Sequence, residues 1–322
     1  LNGESFVADL AVLGAARHHR GAIALGVTEV GFRAFVGNAA LIPSNTRLAD
    51  NSLIGVQSVP PAQQIEKGTS WLGSPAMFLP RRQESEKFDE SVTFRPPARL
   101  VACRLAIEFF RVIIPAVLLG AFGMLGTLAA ARLAAVLPML LLAIALPAVY
   151  LGSALLMYLV VVALKWLVVG RYRPRVAPMW SHFVWRSEFI TALYEGAAVP
   201  GLLGAFTGTP FLAPLLRLLG VQMGRRVYIE TTYLTEFDLV RVADDAMIGG
   251  TTSLQTHLFE DRVMKMSTVS IGSSCSIGPR AVVLYDSQLE DGAKLDALSL
   301  VMKGECLPAK TEWRGIPARL AE

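Results

Sequence analysis

His257 is the residue whose type and setting best suit acid–base chemistry. It stands where a regular aliphatic pattern breaks, in the stretch Gln255-Thr256-His257-Leu258-Phe259-Glu260-Asp261-Arg262-Val263-Met264-Lys265-Met266. An imidazole titrates near neutrality, and a following carboxylate, Glu260 or Asp261, is expected to orient it and raise its basicity. That combination suits a general base acting on an amine or hydroxyl nucleophile; the plain alternative is a structural histidine. Upstream, Glu230, Glu236 and Asp238 are expected either to attract a cationic substrate or to form a solvated edge beside a positive flank. His18 and His19, between Arg17 and Arg20, read as a second catalytic candidate or as a solvated basic corner, and His182 as an interface residue. Cys103, Cys275 and Cys306 lack metal-type spacing, so free thiols and no metal site are expected.

The elements that would position these residues show in the spacing of apolar side chains. Counting in sixes gives Ile271, Ile277, Val283, Leu289, Leu295 and Val301, and four residues after each come Cys275, Ala281, Ser287, Ala293, Ser299 and Glu305. A sustained period of six fits neither a helix nor a simple strand, but it fits a coil of short strands with three flat faces. Such a coil is the left-handed parallel β-helix of hexapeptide-repeat proteins. The count recurs as Val30, Val36, Ile42, Leu48 and Ile54, and a gap-free slide pairs Leu48 with Leu295 and Arg33-Ala34 with Arg280-Ala281. The chain therefore carries an internal duplication. In the second copy Val242, Ile248 and Leu254 keep the period, which then fails until about Val269. A loop must leave the coil there, with His257 at its base, and loops on rigid scaffolds are where binding and catalysis concentrate.

Between the coils the chain is membrane-like. It has 322 residues, 53% of them hydrophobic, with a formal charge of +4 and a mean hydropathy of +0.48. No Lys/Arg run is interleaved with aromatics, so nucleic acid is not an expected partner. The expected map is a partial coil domain over 1–80, a basic juxtamembrane linker over 81–111 (Arg81, Arg82, Lys87, Arg95, Arg99, Arg104, Arg111) and membrane helices over 112–131 and 133–164. An interfacial or re-entrant segment over 165–218 and a complete coil domain over 219–322 follow. Positive charge lies outside the helix pair, with Arg132 alone between them, so both coils are expected on the cytoplasmic side of a cell membrane crossed more than once. Because the chain opens on Leu1 inside a repeat, it is expected to be the C-terminal piece of a longer polypeptide.

The helix pair between coils, Thr235-Glu236-Phe237-Asp238-Leu239-Val240, the 254–266 stretch and the tails Ser299-Leu300-Val301-Met302-Lys303-Gly304-Glu305 and Trp313-Arg314-Gly315-Ile316-Pro317-Ala318 resemble the C-terminal region of epsilon-poly-L-lysine synthetases and related membrane-bound nonribosomal peptide synthetase-like proteins. The resemblance implies upstream adenylation and carrier domains as partners. It also implies a phosphopantetheine-linked aminoacyl donor instead of a cofactor bound directly by this chain, and isopeptide-bond formation in place of an ordinary condensation domain. Tandem coil domains would pack on one another, within one chain or between copies. Two alternatives stay open: an acyl-CoA-dependent hexapeptide acetyltransferase, and a non-catalytic membrane scaffold or export component.

Overall fold

The computed structural model of the chain describes residues 1–80 and 88–321, so Arg81, Arg82 and Lys87 of the expected basic linker lie outside the described residues. In the second coil the six-residue units run as short strands that visit three sheets in turn. Val269–Ile271, Ser276–Ile277 and Val282–Leu284 are each followed, one coil later, by a parallel partner that sets Ile271 beside Leu289, Ile277 beside Leu295 and Val283 beside Val301. All six of these side chains are buried. The corners recur with the same period: Ser274, Arg280, Asp286, Gly292, Leu298, Gly304 and Lys310 all have positive φ. A left-handed residue at each corner turns the chain from one face to the next and aims the following residue inward at a tight bend. Cys275, Ala281, Ser287, Ala293 and Ser299 occupy those bends and are buried, which is why the sequence keeps them small. Neighbouring coils also approach closely, since a Cβ on Gly278 would lie 2.4 Å from the Ala297 nitrogen.

The first coil repeats this plan, with Val30, Val36, Ile42, Leu48 and Ile54 at its centre. Its pairings alter the match between the copies. Phe6–Val7 pairs with Phe35–Val36, and Val12–Ala15 with Leu41–Pro43, in the way that Met247–Ile248 pairs with Ser276–Ile277 and Ser253–Gln255 with Val282–Leu284. Val36 therefore corresponds to Ile277 and Leu48 to Leu289, one six-residue step away from the gap-free slide. A slip of six keeps every inward residue inward, so periodicity alone does not fix it. The first coil also begins earlier than its aliphatic count suggests. The hairpin Arg17–His19 with Ala22–Ala24 leaves it at the level where the hairpin His257–Glu260 with Val263–Met266 leaves the second coil.

Helix α1 (Ala98–Ala134) and helix α2 (Met139–Val168) lie between the coils. Both are long and apolar enough to cross a membrane; the shorter extends for about 45 Å at ~1.5 Å per residue. The break between them is the turn before Pro138, so Arg132 sits in the last turn of α1 and does not end the helix, and residues 99–111 belong to α1 as well. Among the described residues of 197–216 no helix approaches spanning length. The chain there is a five-residue π-helix, Tyr194–Ala198, then short helical turns and the helix Leu212–Leu218. Helix α3 (His182–Leu193), capped by the Ser181 hydroxyl accepting from the Val184 N–H, joins these turns in a layer. One continuous apolar core runs from Met157 and Val161 of α2, through Ile190, Leu203 and Leu216 of the layer, to Phe237, Val240 and Ile248 of the coil.

A buried ion pair ties the helices to the coil. Lys165 Nζ of α2 donates to Asp238 Oδ2 at 2.7 Å, and the Tyr172 N–H donates to the same oxygen at 3.0 Å. Gly220, at φ 111°, leaves room for this pair, because a Cβ there would lie 2.5 Å from Asp238 Oδ1. The strand Arg175–Pro178 then adds to Val263–Met266, making the second hairpin a three-stranded sheet. The two coils meet through Val56 and Leu72 on one side and Leu258, Leu284 and Leu300 on the other.

Candidate active site

His257 opens the hairpin strand, opposite Met266. Its Nδ1 lies 2.7 Å from Glu236 Oε2, one coil below, and its ring packs edge-on against Phe259 with centroids 5.4 Å apart. Glu236 is 1% exposed. Its Oε2 also lies 2.7 Å from the Thr235 hydroxyl and 2.6 Å from the Thr256 hydroxyl, while Ser187 Oγ on α3 stands 3.1 Å from Oε1 and 3.3 Å from the Tyr172 hydroxyl. The buried carboxylate is thus surrounded by hydrogen-bonding groups from the coil and the helical layer, as a buried charge must be. With Nδ1–H given to Glu236, the neutral imidazole carries its lone pair on Nε2.

Burial by itself would lower the His257 pKa, but the charge of Glu236 and its hydrogen bond outweigh burial and raise the imidazole above the ordinary histidine value. Burial likewise works to raise Glu236, yet the charge on His257 and the hydrogen bonds of His257, Thr256 and Thr235 hold it below the ordinary carboxylate value. The pair favours an imidazolium beside a carboxylate, the state a general base reaches once it has taken a proton.

His257 lines a cavity of about 470 Å³, a volume suited to a small-molecule ligand. Three parts of the chain build its walls: Asp9, Leu10 and Asn38 of the first coil, Glu195 and Val199 of the helical layer, and Tyr233, Thr235, Ser253 and Gln255 of the second coil. Glu195 is placed there by the π-helix, an irregularity that recurs at functional positions. Crowding by the surrounding protein and the charge of Asp9 both push Glu195 above the ordinary carboxylate value, although its side chain stays open to solvent.

Glu236, expected to attract a cationic substrate or to form a solvated edge, is instead buried and positions the imidazole from behind. Glu260 does not orient His257. Alternation along the strand turns it to the other side, where Lys265 Nζ donates to it at 2.9 Å, Lys303 pairs with it as well, and it borders an apolar cavity between the coils. Asp261 lies in the hairpin turn at φ 51°, at the far end of the strand from His257. Asp238 is spent on Lys165, and Glu230 is exposed and does not line the cavity. His18 and His19 are exposed on the first coil's hairpin, and His182 stacks edge-on with Trp185 at 5.1 Å. Among the described residues no group of three or more His, Cys, Asp or Glu is arranged to hold a metal ion. Asp9 and Glu195 escape a reading of the sequence; the one available signal is Glu195, a single carboxylate inside the apolar run 189–206.

No family model matches the chain. It is 42% identical over 322 residues to the delta-poly-L-ornithine synthetase of Acinetobacter baumannii (strain AB307-0294), a match covering 99% of this chain and 24% of that protein. The chain thus spans about a quarter of the length of the curated relative it matches. Among solved structures, a maltose O-acetyltransferase from Clostridium difficile 630 is 16% identical with a TM-score of 0.32, covering 38% of this chain and 82% of its own. A hexapeptide-repeat-containing acetyltransferase from Vibrio cholerae O1 biovar eltor, complexed with acetyl coenzyme A, is 17% identical with a TM-score of 0.32, covering 38% of this chain and 83% of its own.

Proposed function

We propose that the chain forms amide bonds by acyl transfer in the synthesis of a basic amino-acid homopolymer. The observation that carries this reading is His257, oriented by a buried Glu236 at 2.7 Å and facing a cavity shared by both coils and the helical layer. The similarity to a poly-amino-acid synthetase supports it. The acceptor attacks as a neutral amine: its nitrogen bonds to the donor's carbonyl carbon while neutral His257 takes one proton from that nitrogen through Nε2, and the carbon–sulfur bond of the thioester breaks. The proton then passes from His257 to the departing thiolate, and Glu236 balances the imidazolium in between. The donor is an aminoacyl thioester on the phosphopantetheine arm of a carrier domain. Lysine, implied by the resemblance, and ornithine, in the relative's name, are both diamino acids. In the same reading each coil is a left-handed parallel β-helix, and α1 and α2 cross a bilayer as a hairpin with both coils on the cytoplasmic side.

The test is transfer from a preloaded carrier to an amine acceptor, measured beside thermal melting. His257→Gln, which keeps hydrogen bonding but not a usable base, is expected to cut turnover by about 10²-fold or more while the chain still folds cooperatively, with a melting temperature that approaches the parent's as pH rises. Near-normal turnover in this variant would remove His257 from the chemistry. Transfer from acetyl coenzyme A but not from the carrier would favour the acetyltransferase alternative.

A further inference from the structure

The cavity above His257 has an electrostatic character that proton transfer alone does not require. None of the described residues lining it is a lysine or arginine. Two of its walls carry carboxylates, Asp9 on the first coil and Glu195 on the helical layer, and among the described residues neither carboxylate has a hydrogen-bonding or ion-pair partner. On the second coil's wall the side-chain oxygen of Gln255 is buried and has no donor among the described residues. Two exposed carboxylates and one buried amide oxygen, from three separate parts of the fold, thus border one space and lack donors among the described residues. A buried acceptor such as the Gln255 oxygen is ordinarily satisfied, and a carboxylate that faces another carboxylate without a cation is disfavoured. A group that only donates and carries positive charge would complete all three. An alkylammonium does so, having three N–H donors and no acceptor.

We infer that Asp9 and Glu195, with Gln255, recognise a second, non-reacting ammonium on the acceptor, so that the site selects a diamino compound over a monoamine of the same shape. The inference rests on the acyl-transfer reading for the identity of the reacting amine, while the recognition itself is a binding property. The reacting amine lies at His257 and the other ammonium at the acidic wall. A diamino acid, or the growing end of its polymer, offers two amines on one short aliphatic chain, and Leu10, Val199 and Leu254 supply the apolar lining for its methylenes. The arrangement also gives the first coil a part in the site, since Asp9 comes from it.

Binding in the absence of any acyl donor tests this directly, by calorimetry on the full chain in detergent with L-ornithinamide and L-norvalinamide, which differ by one ammonium group. The parent protein is expected to bind ornithinamide about tenfold or more tightly than norvalinamide, the effect of one charge-assisted contact. Asp9→Asn and Glu195→Gln should each reduce ornithinamide binding by about five- to tenfold and leave norvalinamide unchanged; the double variant should abolish the preference. Glu195→Asp, which keeps the charge, should retain part of it, and Glu230→Gln, on the exposed surface, should retain all of it. Both wall residues are exposed to the cavity, so melting curves should match the parent. No preference in the parent, or a preference that survives in the double variant, overturns the inference. Because no donor is present, a failure of the acyl-transfer reading appears separately, as absent turnover with cation selectivity intact.

Discussion

At Glu236 the backbone lies at φ 40° and ψ 56°, a left-handed conformation that a non-glycine residue adopts at some cost. The outlier delivers the carboxylate to His257 Nδ1 from a residue 21 positions away in sequence. The link was not legible in advance because partners across a coil are separated by a full turn of the chain. The carboxylate nearest in sequence, Glu260, is an odd number of residues along the strand and so faces away. A consequence for pH follows. His257 stands above the ordinary histidine value because Glu236 outweighs burial, and the base is usable only when neutral, so turnover should rise with pH through a value above that of an ordinary histidine. Glu236→Gln removes the main opposition to burial and leaves only the charges of Glu188 and Asp9 against it: its rate profile should shift to lower pH while its plateau falls by about 10–10²-fold, less than for loss of the base. The stability contribution has the opposite sense. A histidine raised in the folded state stabilises it fully below the unfolded value and loses that contribution as pH rises through the folded value. The melting difference between the parent and His257→Gln should therefore shrink over the window in which turnover grows. A rate profile in Glu236→Gln that coincides with the parent's would separate Glu236 from the imidazole's titration.

Among the elements, the coil strands were the most legible, because Ile271 through Val301 and Val30 through Ile54 each occupy the same inward place. The long helices were legible as well, though Pro138 and not Arg132 divides them, since a single arginine is tolerated in the last turn of a helix and helps its C-terminus. The helical layer was not legible: its prolines and glycines punctuate an apolar run whose destination is set by the surfaces it fills on α2 and the coil. Lys165 and Asp238 join those surfaces with side chains 0% and 4% exposed. Removing one partner leaves the other buried without its counter-charge. Lys165→Met should therefore destabilise by about 3–5 kcal/mol, and Lys165→Met with Asp238→Asn by clearly less, because the neutral Asn needs no cation and still accepts from the Tyr172 N–H. Chemical denaturation in detergent measures both, and a double variant as unstable as the single would mean that the pair does not act as a unit.

For the molecule as a whole, the cavity belongs to no single part. The first coil, the helical layer and the second coil each give it a wall, and Arg262 Nη2 of the second hairpin donates to the Ser5 carbonyl at 3.1 Å, helping to hold the coils together. If α1 and α2 form a membrane hairpin, this assembly lies on one face of the bilayer. The charge pattern agrees: Arg99, Arg104 and Arg111 lie within the first four turns of α1 and Lys165, Arg171, Arg173 and Arg175 at or after the end of α2, against Arg132 alone near the turn. Arg104 and Arg111 are partly neutralised by Glu108 and Glu188, and orientation depends chiefly on the basic residues themselves. The cysteines make this measurable, because Cys306 is exposed on the second coil and Cys275 is buried within it. In intact cells carrying Arg132→Cys, a membrane-impermeant thiol reagent applied from outside should label position 132 and spare Cys306. After permeabilisation Cys306 should react as well, and Cys275 only once the coil is unfolded. Labelling of Cys306 and position 132 from the same side of a sealed membrane would place the turn and the second coil together and sink the hairpin topology, whereas the cavity, built from contacts within the folded chain, would stand unchanged.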